Sequence, residues 1–194
     1  GPMMNAAVFL LFILNFIFIG ALPFFFFRRD GRFNGMWCLT AAPFFICSLV
    51  LIASMGGWIS PLIGYGTAAG RLLEVLSVPF SVASIALIFV TVGIHRLPLA
   101  LWHQENDAPK QIVTYGPYRW VRHPFYVSFL LALSGALLFF PHPATVLTLV
   151  YGYLILNYTA AREERRLQAS QFGAEYEAYM RQTGRFMPRG GAKI

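Results

Sequence analysis

Residues 102–126 read WHQENDAPKQIVTYGPYRWVRHPFY. They packed turn signals, aromatics, two histidines and the basic residues Lys110, Arg119 and Arg122 between two apolar runs. Charged and hydrogen-bonding groups are costly beside a bilayer, so a polar segment in that position needs a structural or chemical reason. A second polar stretch, Arg162 to Arg185, follows the last apolar run. The expectation is that the two stretches meet and build one site, from residues 102–126 and 157–188.

Working outward, the 194-residue chain is long enough for a single domain, here a single integral membrane domain. Apolar residues make up 57% and charged ones 12%, about half the usual charged share, too few to cover a water-facing surface. The net charge of +7 reflects basic residues collected on one membrane face rather than a nucleic-acid partner. Cys38 and Cys47 have no metal-ligand spacing and read as packing residues. Gly1-Pro2 ahead of Met3 looks like the scar of a cleaved tag and is left out of the reading.

Five apolar runs predict an all-α, polytopic helical bundle with spans near 3–27, 39–55, 75–94, 125–140 and 144–161. The first run is too long for a signal-peptide core and is stopped by Arg28 and Arg29, so it reads as a retained span. Residues 59–70 read as an interfacial loop, and Pro79 is expected to kink the third span near its start. Pro141-His142-Pro143 is a turn too tight for anything but a helical hairpin. With the N-terminus outside, only Arg71 of the 15 Lys and Arg falls on the outer side, which predicts an N-out, C-in topology with a cytoplasmic C-terminal helix.

Two constellations stand out. In the first, Gly116-Pro117 signals a turn, and Arg122-His123-Pro124-Phe125-Tyr126 brackets a helix start with an imidazole and a phenol. Trp, Tyr and Arg beside a span are ordinary interfacial anchors, but a helix N-terminus also presents unpaired N–H groups suited to a carboxylate. In the second, Asn157, Ala160 and Glu164 share one helix face at i, i+3 and i+7. A carboxylate at Glu164 favours a cationic ligand, while Glu163, Arg165 and Arg166 are expected to point elsewhere, toward solvent. Phe172, Tyr176 and Tyr179 form an aromatic stripe expected to pack. His95 and His142 read as interfacial, and His103 and Gln104 as candidates to line the pocket. No Ser/His/Asp set, zinc pattern, phosphate loop or dinucleotide fingerprint is present.

The runs Thr114-Tyr115-Gly116-Pro117-Tyr118, Arg122-His123-Pro124-Phe125-Tyr126, Glu163-Glu164, Phe172-Gly173-Ala174-Glu175-Tyr176 and Arg185-Phe186-Met187-Pro188 resemble the isoprenylcysteine carboxyl methyltransferase family. The likeness is to a compact prokaryotic member. It implies a multi-pass enzyme of the cell membrane that uses S-adenosyl-L-methionine, releases S-adenosyl-L-homocysteine, and carries its site on the cytoplasmic face. By position, the resemblance assigns the cofactor to His103 or Gln104, Lys110, Gln111, Ile112, Val113, Tyr118, His123, Pro124, Phe125, Tyr126 and Glu164. Asn157 and Ala160 are carried over as acceptor-side positions. The partners it implies are lipids and a lipophilic methyl acceptor such as a prenylcysteine carboxylate, with no nucleic acid and no metal. The eukaryotic enzymes place a substrate-binding Arg where this chain has Ala160, which puts the acceptor, though not the cofactor, in doubt; Arg165 and Arg166 are the replacements to weigh. Sterol-type reductases using NADPH share comparable runs and form the competing enzyme class. A non-catalytic scaffold or small transporter is the third, weakened by spans that carry almost no charge.

Overall fold

The structure, a computed structural model, describes residues 4–21, 31–95 and 112–190. Among them run six α-helices: α1 (Ala6–Ala21), α2 (Gly35–Met55), α3 (Ala68–His95), α4 (Pro124–Phe139), α5 (Pro143–Gln168) and α6 (Gly173–Gln182). A short 3₁₀ turn, Gly116–Arg119, precedes α4. Among the described residues there is no strand; Val121 and Gly184 form an isolated parallel bridge.

Gly35–Met55, Ala68–Ile94 and Pro143–Gln168 are long and apolar enough to cross a membrane, and Ala6–Ile19 and Pro124–Phe139 are shorter apolar helices. Within the described residues each expected apolar run coincides with a helix, residue 3 and residues 22–27 of the first run lying outside them. The expected loop 59–70 is corrected at its end, because α3 already begins at Ala68. Thr67 caps it, its Oγ1 accepting from the Gly70 N–H at 2.9 Å. Gly70 belongs to this first turn because a Cβ there would run into the Gly64 carbonyl.

Proline inside a helix removes one hydrogen bond and frees the carbonyl four residues back. Pro43 in α2 frees the carbonyl of Leu39, and the Tyr151 hydroxyl of α5 donates to it at 2.9 Å. The turn between α4 and α5 is also built locally. His142 caps α5, its Nδ1 accepting from the Ala144 N–H at 3.0 Å, while Thr145 Oγ1 accepts from the His142 N–H at 3.2 Å. His142 is therefore a helix cap, a role that its reading as an interfacial residue missed.

The core is aromatic. Phe12 of α1 stacks on Phe139 of α4 with centroids 5.4 Å apart, and Phe44 of α2 meets Phe129 edge-on at 5.3 Å. Small polar residues line the seam of α3: the Ser84 hydroxyl donates to the Ser128 carbonyl at 2.7 Å, and Asn15 Nδ2 donates to Ser81 Oγ at 3.3 Å. Such residues let helices approach closely and hydrogen-bond across the contact. Cys47 is buried and Cys38 half-buried, both as free thiols.

Gly135 of α4 marks the tightest approach. A Cβ there would lie 2.9 Å from Phe12 Cε1 and 3.0 Å from Phe80 Cβ. Gly135→Val therefore overpacks the junction of α1, α3 and α4, at a cost of about 1–3 kcal/mol. Its melting midpoint in detergent is expected to fall by several degrees; a midpoint equal to wild type would show that the helices can separate at no cost.

Candidate functional site

The hairpin sets the α4 N-terminus and the α5 C-terminus at the same end of the bundle. Pro124 opens α4 at its first position, where its missing N–H is no loss, and His123 is the preceding cap residue. At 1.5 Å per residue α5 is about 39 Å long, longer than a hydrocarbon core of about 30 Å. Its last turns therefore carry Glu163 and Glu164 beyond the apolar part of the helix and alongside His123.

Glu164 is buried, at 2% exposure, and its carboxylate is the hub of the site. Oε1 accepts from Arg122 Nε at 2.9 Å and from Arg185 Nε at 3.1 Å, and lies 3.2 Å from His123 Nε2. Oε2 accepts from Arg185 Nη2 at 2.6 Å. Arg185 Nη1 donates to Asn157 Oδ1 at 2.7 Å. Arg122 Nη1 donates to the carbonyls of Thr183 and Met180, which belong to the end of α6. Carbonyls of a last helical turn have no partner within the helix, so the guanidinium supplies one.

Glu163 corrects an expectation. Rather than pointing to solvent, its Oε1 accepts from the Tyr126 hydroxyl at 2.7 Å and its Oε2 lies 3.4 Å from His123 Nδ1. Neighbouring helical residues diverge, but the His123 ring sits between the two carboxylates and reaches each with a different nitrogen. Arg165 does point outward and is exposed.

The segment after α6 closes the site as a strap. The Arg122 N–H donates to the Gly184 carbonyl at 2.9 Å and the His123 N–H to the Arg185 carbonyl at 3.3 Å. Gly184 suits this course because a Cβ there would run into the Met187 carbonyl. The Tyr179 hydroxyl donates to the Tyr118 carbonyl at 2.6 Å, tying α6 to the 3₁₀ turn. Burial raises the Tyr176 and Tyr179 phenols above their ordinary range, so they remain neutral. Phe186 of the strap meets Tyr126 and Tyr153 edge-on, at 6.5 and 6.1 Å between centroids.

Of the candidate residues, His123, Pro124, Phe125, Tyr126 and Glu164 are gathered here and all are buried. Tyr118 is half-buried in the adjoining 3₁₀ turn, which Ile112 and Val113 approach, the latter buried. Asn157 is tied to Arg185, and Ala160 is fully buried between Asn157 and Glu164 on the same helix face. His103, Gln104, Lys110 and Gln111 lie outside the described residues. Arg122, Arg185 and Glu163 were not singled out from sequence. For Arg122 the signal was its place beside His123; Arg185 had only the closing Arg-Phe-Met-Pro run.

Residues 80–169 match the model of the isoprenylcysteine carboxyl methyltransferase (ICMT) family. The chain is also similar to the cobalt-zinc-cadmium resistance protein CzcN of Cupriavidus metallidurans, 28% identical over 157 residues. That match covers 80% of this chain, which spans 63% of the length of the curated relative. No solved structure matches the chain. Among the described residues, no group of three or more His, Cys, Asp or Glu is arranged to hold a metal ion.

Burial opposes charging of His123, but the hydrogen bonds and charges of Glu163 and Glu164 outweigh it and raise its pKa above the ordinary value. A raised folded pKa adds stability that is fully present below about pH 6.5, the value of free imidazole, and is lost as pH rises through the folded value. The wild-type melting midpoint should therefore fall more steeply above pH 6.5 than that of His123→Gln. Parallel curves for the two proteins would show that the imidazole is neutral between its two carboxylates.

Proposed function

We propose that the chain is an S-adenosylmethionine-dependent membrane methyltransferase acting on a lipophilic or membrane-associated acceptor. The observation that carries it is the convergence of His123-Pro124-Phe125-Tyr126 with Glu164 at one end of the α4–α5 hairpin, all of it inside the segment that matches the ICMT family. The topology that accompanies this reading has five spans, with the N-terminus outside and the site on the cytoplasmic face of the cell membrane.

The residues present fit the cofactor's amino-acid end. Glu164 offers a buried carboxylate to its ammonium, and the first turn of α4 offers N–H groups and a positive dipole to its carboxylate. Backbone at Ile112 and Val113 is available for an adenine ring, beside Tyr118. When bound, S-adenosylmethionine supplies a methyl group on a sulfonium, open to in-line displacement by a nucleophile.

For that displacement the protein's task is alignment and exclusion of water. His123, with a carboxylate at each ring nitrogen, has no lone pair to spare for deprotonating an acceptor. A carboxylate acceptor needs none, which favours an acid over an alcohol or an amine. Tyr153 and Leu154 on the exposed side of α5 give a lipophilic acceptor an apolar flank along which to approach.

Calorimetric titration of the detergent-purified protein with S-adenosylhomocysteine should give micromolar or tighter binding, and NADPH none. Binding of NADPH alone would replace this function with that of a reductase. Glu164→Gln removes a charged hydrogen bond worth about 1.5–3 kcal/mol, so it should weaken S-adenosylhomocysteine roughly tenfold or more. Unchanged affinity in that variant would remove Glu164 from the cofactor site.

A further inference from the structure

Glu164 already has a full set of partners. A carboxylate offers about four acceptor positions, and these are taken by Arg122 Nε, His123 Nε2, and Nε and Nη2 of Arg185. A cationic ligand reaches Glu164 only if one of the three resident cations withdraws.

The three are not equally held. Arg122 has a side chain only 9% exposed, and its other nitrogen serves the carbonyls of Met180 and Thr183, which its departure would orphan. His123 is 6% exposed, has Glu163 on its second nitrogen, and donates its backbone N–H to the strap. Arg185 is 29% exposed, and beyond Glu164 its guanidinium bonds, among the described residues, only the Asn157 side chain, a contact that water can replace. Releasing a buried donor or acceptor without a new partner carries its full desolvation penalty, whereas a group that swings into water keeps its solvation. Arg185 is the cation that leaves.

We propose that Arg185 is a gate on the cation subsite: it closes on Glu164 when no cofactor is present and swings off when the cofactor's ammonium takes its place. The inference rests on the methyltransferase reading and deepens it. Arg185 is thus a positioning residue, acting through Glu164. The cofactor's apparent affinity is reduced by the fraction of molecules in which the gate is shut. Removing the arginine should improve binding, the reverse of what loss of a structural ion pair does.

The experiment is calorimetric titration of wild type, Arg185→Gln and Asn157→Ala with S-adenosylhomocysteine, and in parallel with 5′-methylthioadenosine, which lacks the amino-acid group. Arg185→Gln should bind S-adenosylhomocysteine about tenfold more tightly, corresponding to a gate shut about nine-tenths of the time. Asn157→Ala, which unties the arginine's second anchor, should tighten binding by a smaller factor, and 5′-methylthioadenosine should bind all three alike. Equal or weaker S-adenosylhomocysteine binding in Arg185→Gln, or an equal gain for 5′-methylthioadenosine, overturns the gate while leaving the methyltransferase reading intact. Should Arg185→Gln not fold, Asn157→Ala decides: a gain supports the gate, and none overturns it. Absence of S-adenosylhomocysteine binding to every folded variant overturns the methyltransferase reading and the gate with it.

Discussion

One buried carboxylate organises this end of the molecule. Taking an ion out of water costs several kcal/mol even after the protein relaxes around it, and only close opposite charges and hydrogen bonds offset that. Glu164 draws its partners from three separate parts of the chain: Arg122 and His123 ahead of α4, Asn157 by way of Arg185 on its own helix, and Arg185 in the strap after α6. The fold of residues 112–190 is thus set as much by satisfying this charge as by apolar packing. The buried part of this network, Glu164 with Arg122 and His123, also specifies its own arrangement, because losing either partner leaves a buried polar group bare.

The bilayer explains why the cluster sits where it does. Inside hydrocarbon each backbone group must be satisfied within the protein, and Tyr151 meets that demand for the carbonyl freed by Pro43. Charges have no such remedy deep in the membrane. They collect where α5 outruns its apolar segment and where the tight turn at His142 returns the chain so that the two helix ends coincide. Above the cluster, Tyr126, Tyr153 and Phe186 form an aromatic lid between ionic site and apolar core.

Much of this was legible in the sequence, for identifiable reasons. Apolar run length located the helices, and the 3.6-residue period put Asn157, Ala160 and Glu164 on one face, two of them buried and the third tied to the strap. The start of α3 was missed because Gly70 resembles a loop glycine until Gly64 is seen pressed against it. Glu163 was missed because a helical wheel contains only its own helix, and the group that recruits it, His123, belongs to another element. Arg185 had no period to betray it: it lies in an irregular strap that follows α6, and only the backbone bonds from Arg122 and His123 bring it to Glu164. Sequence patterns report what is regular, and the parts of this site that escaped them are irregular.

The charges also link the two sides of the site. Glu163 and Glu164 face Arg122, Arg185 and His123, so with the imidazole protonated the cluster carries one surplus positive charge. A further cation cannot simply be added beside such a surplus; electrostatics demands that one already present move outward. Arg185 spans Glu164 and Asn157, two turns and about 10 Å apart along α5, so it connects the buried carboxylate with the exposed residues around Tyr153. An ion that displaced it from Glu164 would therefore also disturb the exposed flank of α5 around Tyr153. A single guanidinium thus links the buried carboxylate to the exposed flank of α5, without any need for a longer path through the bundle.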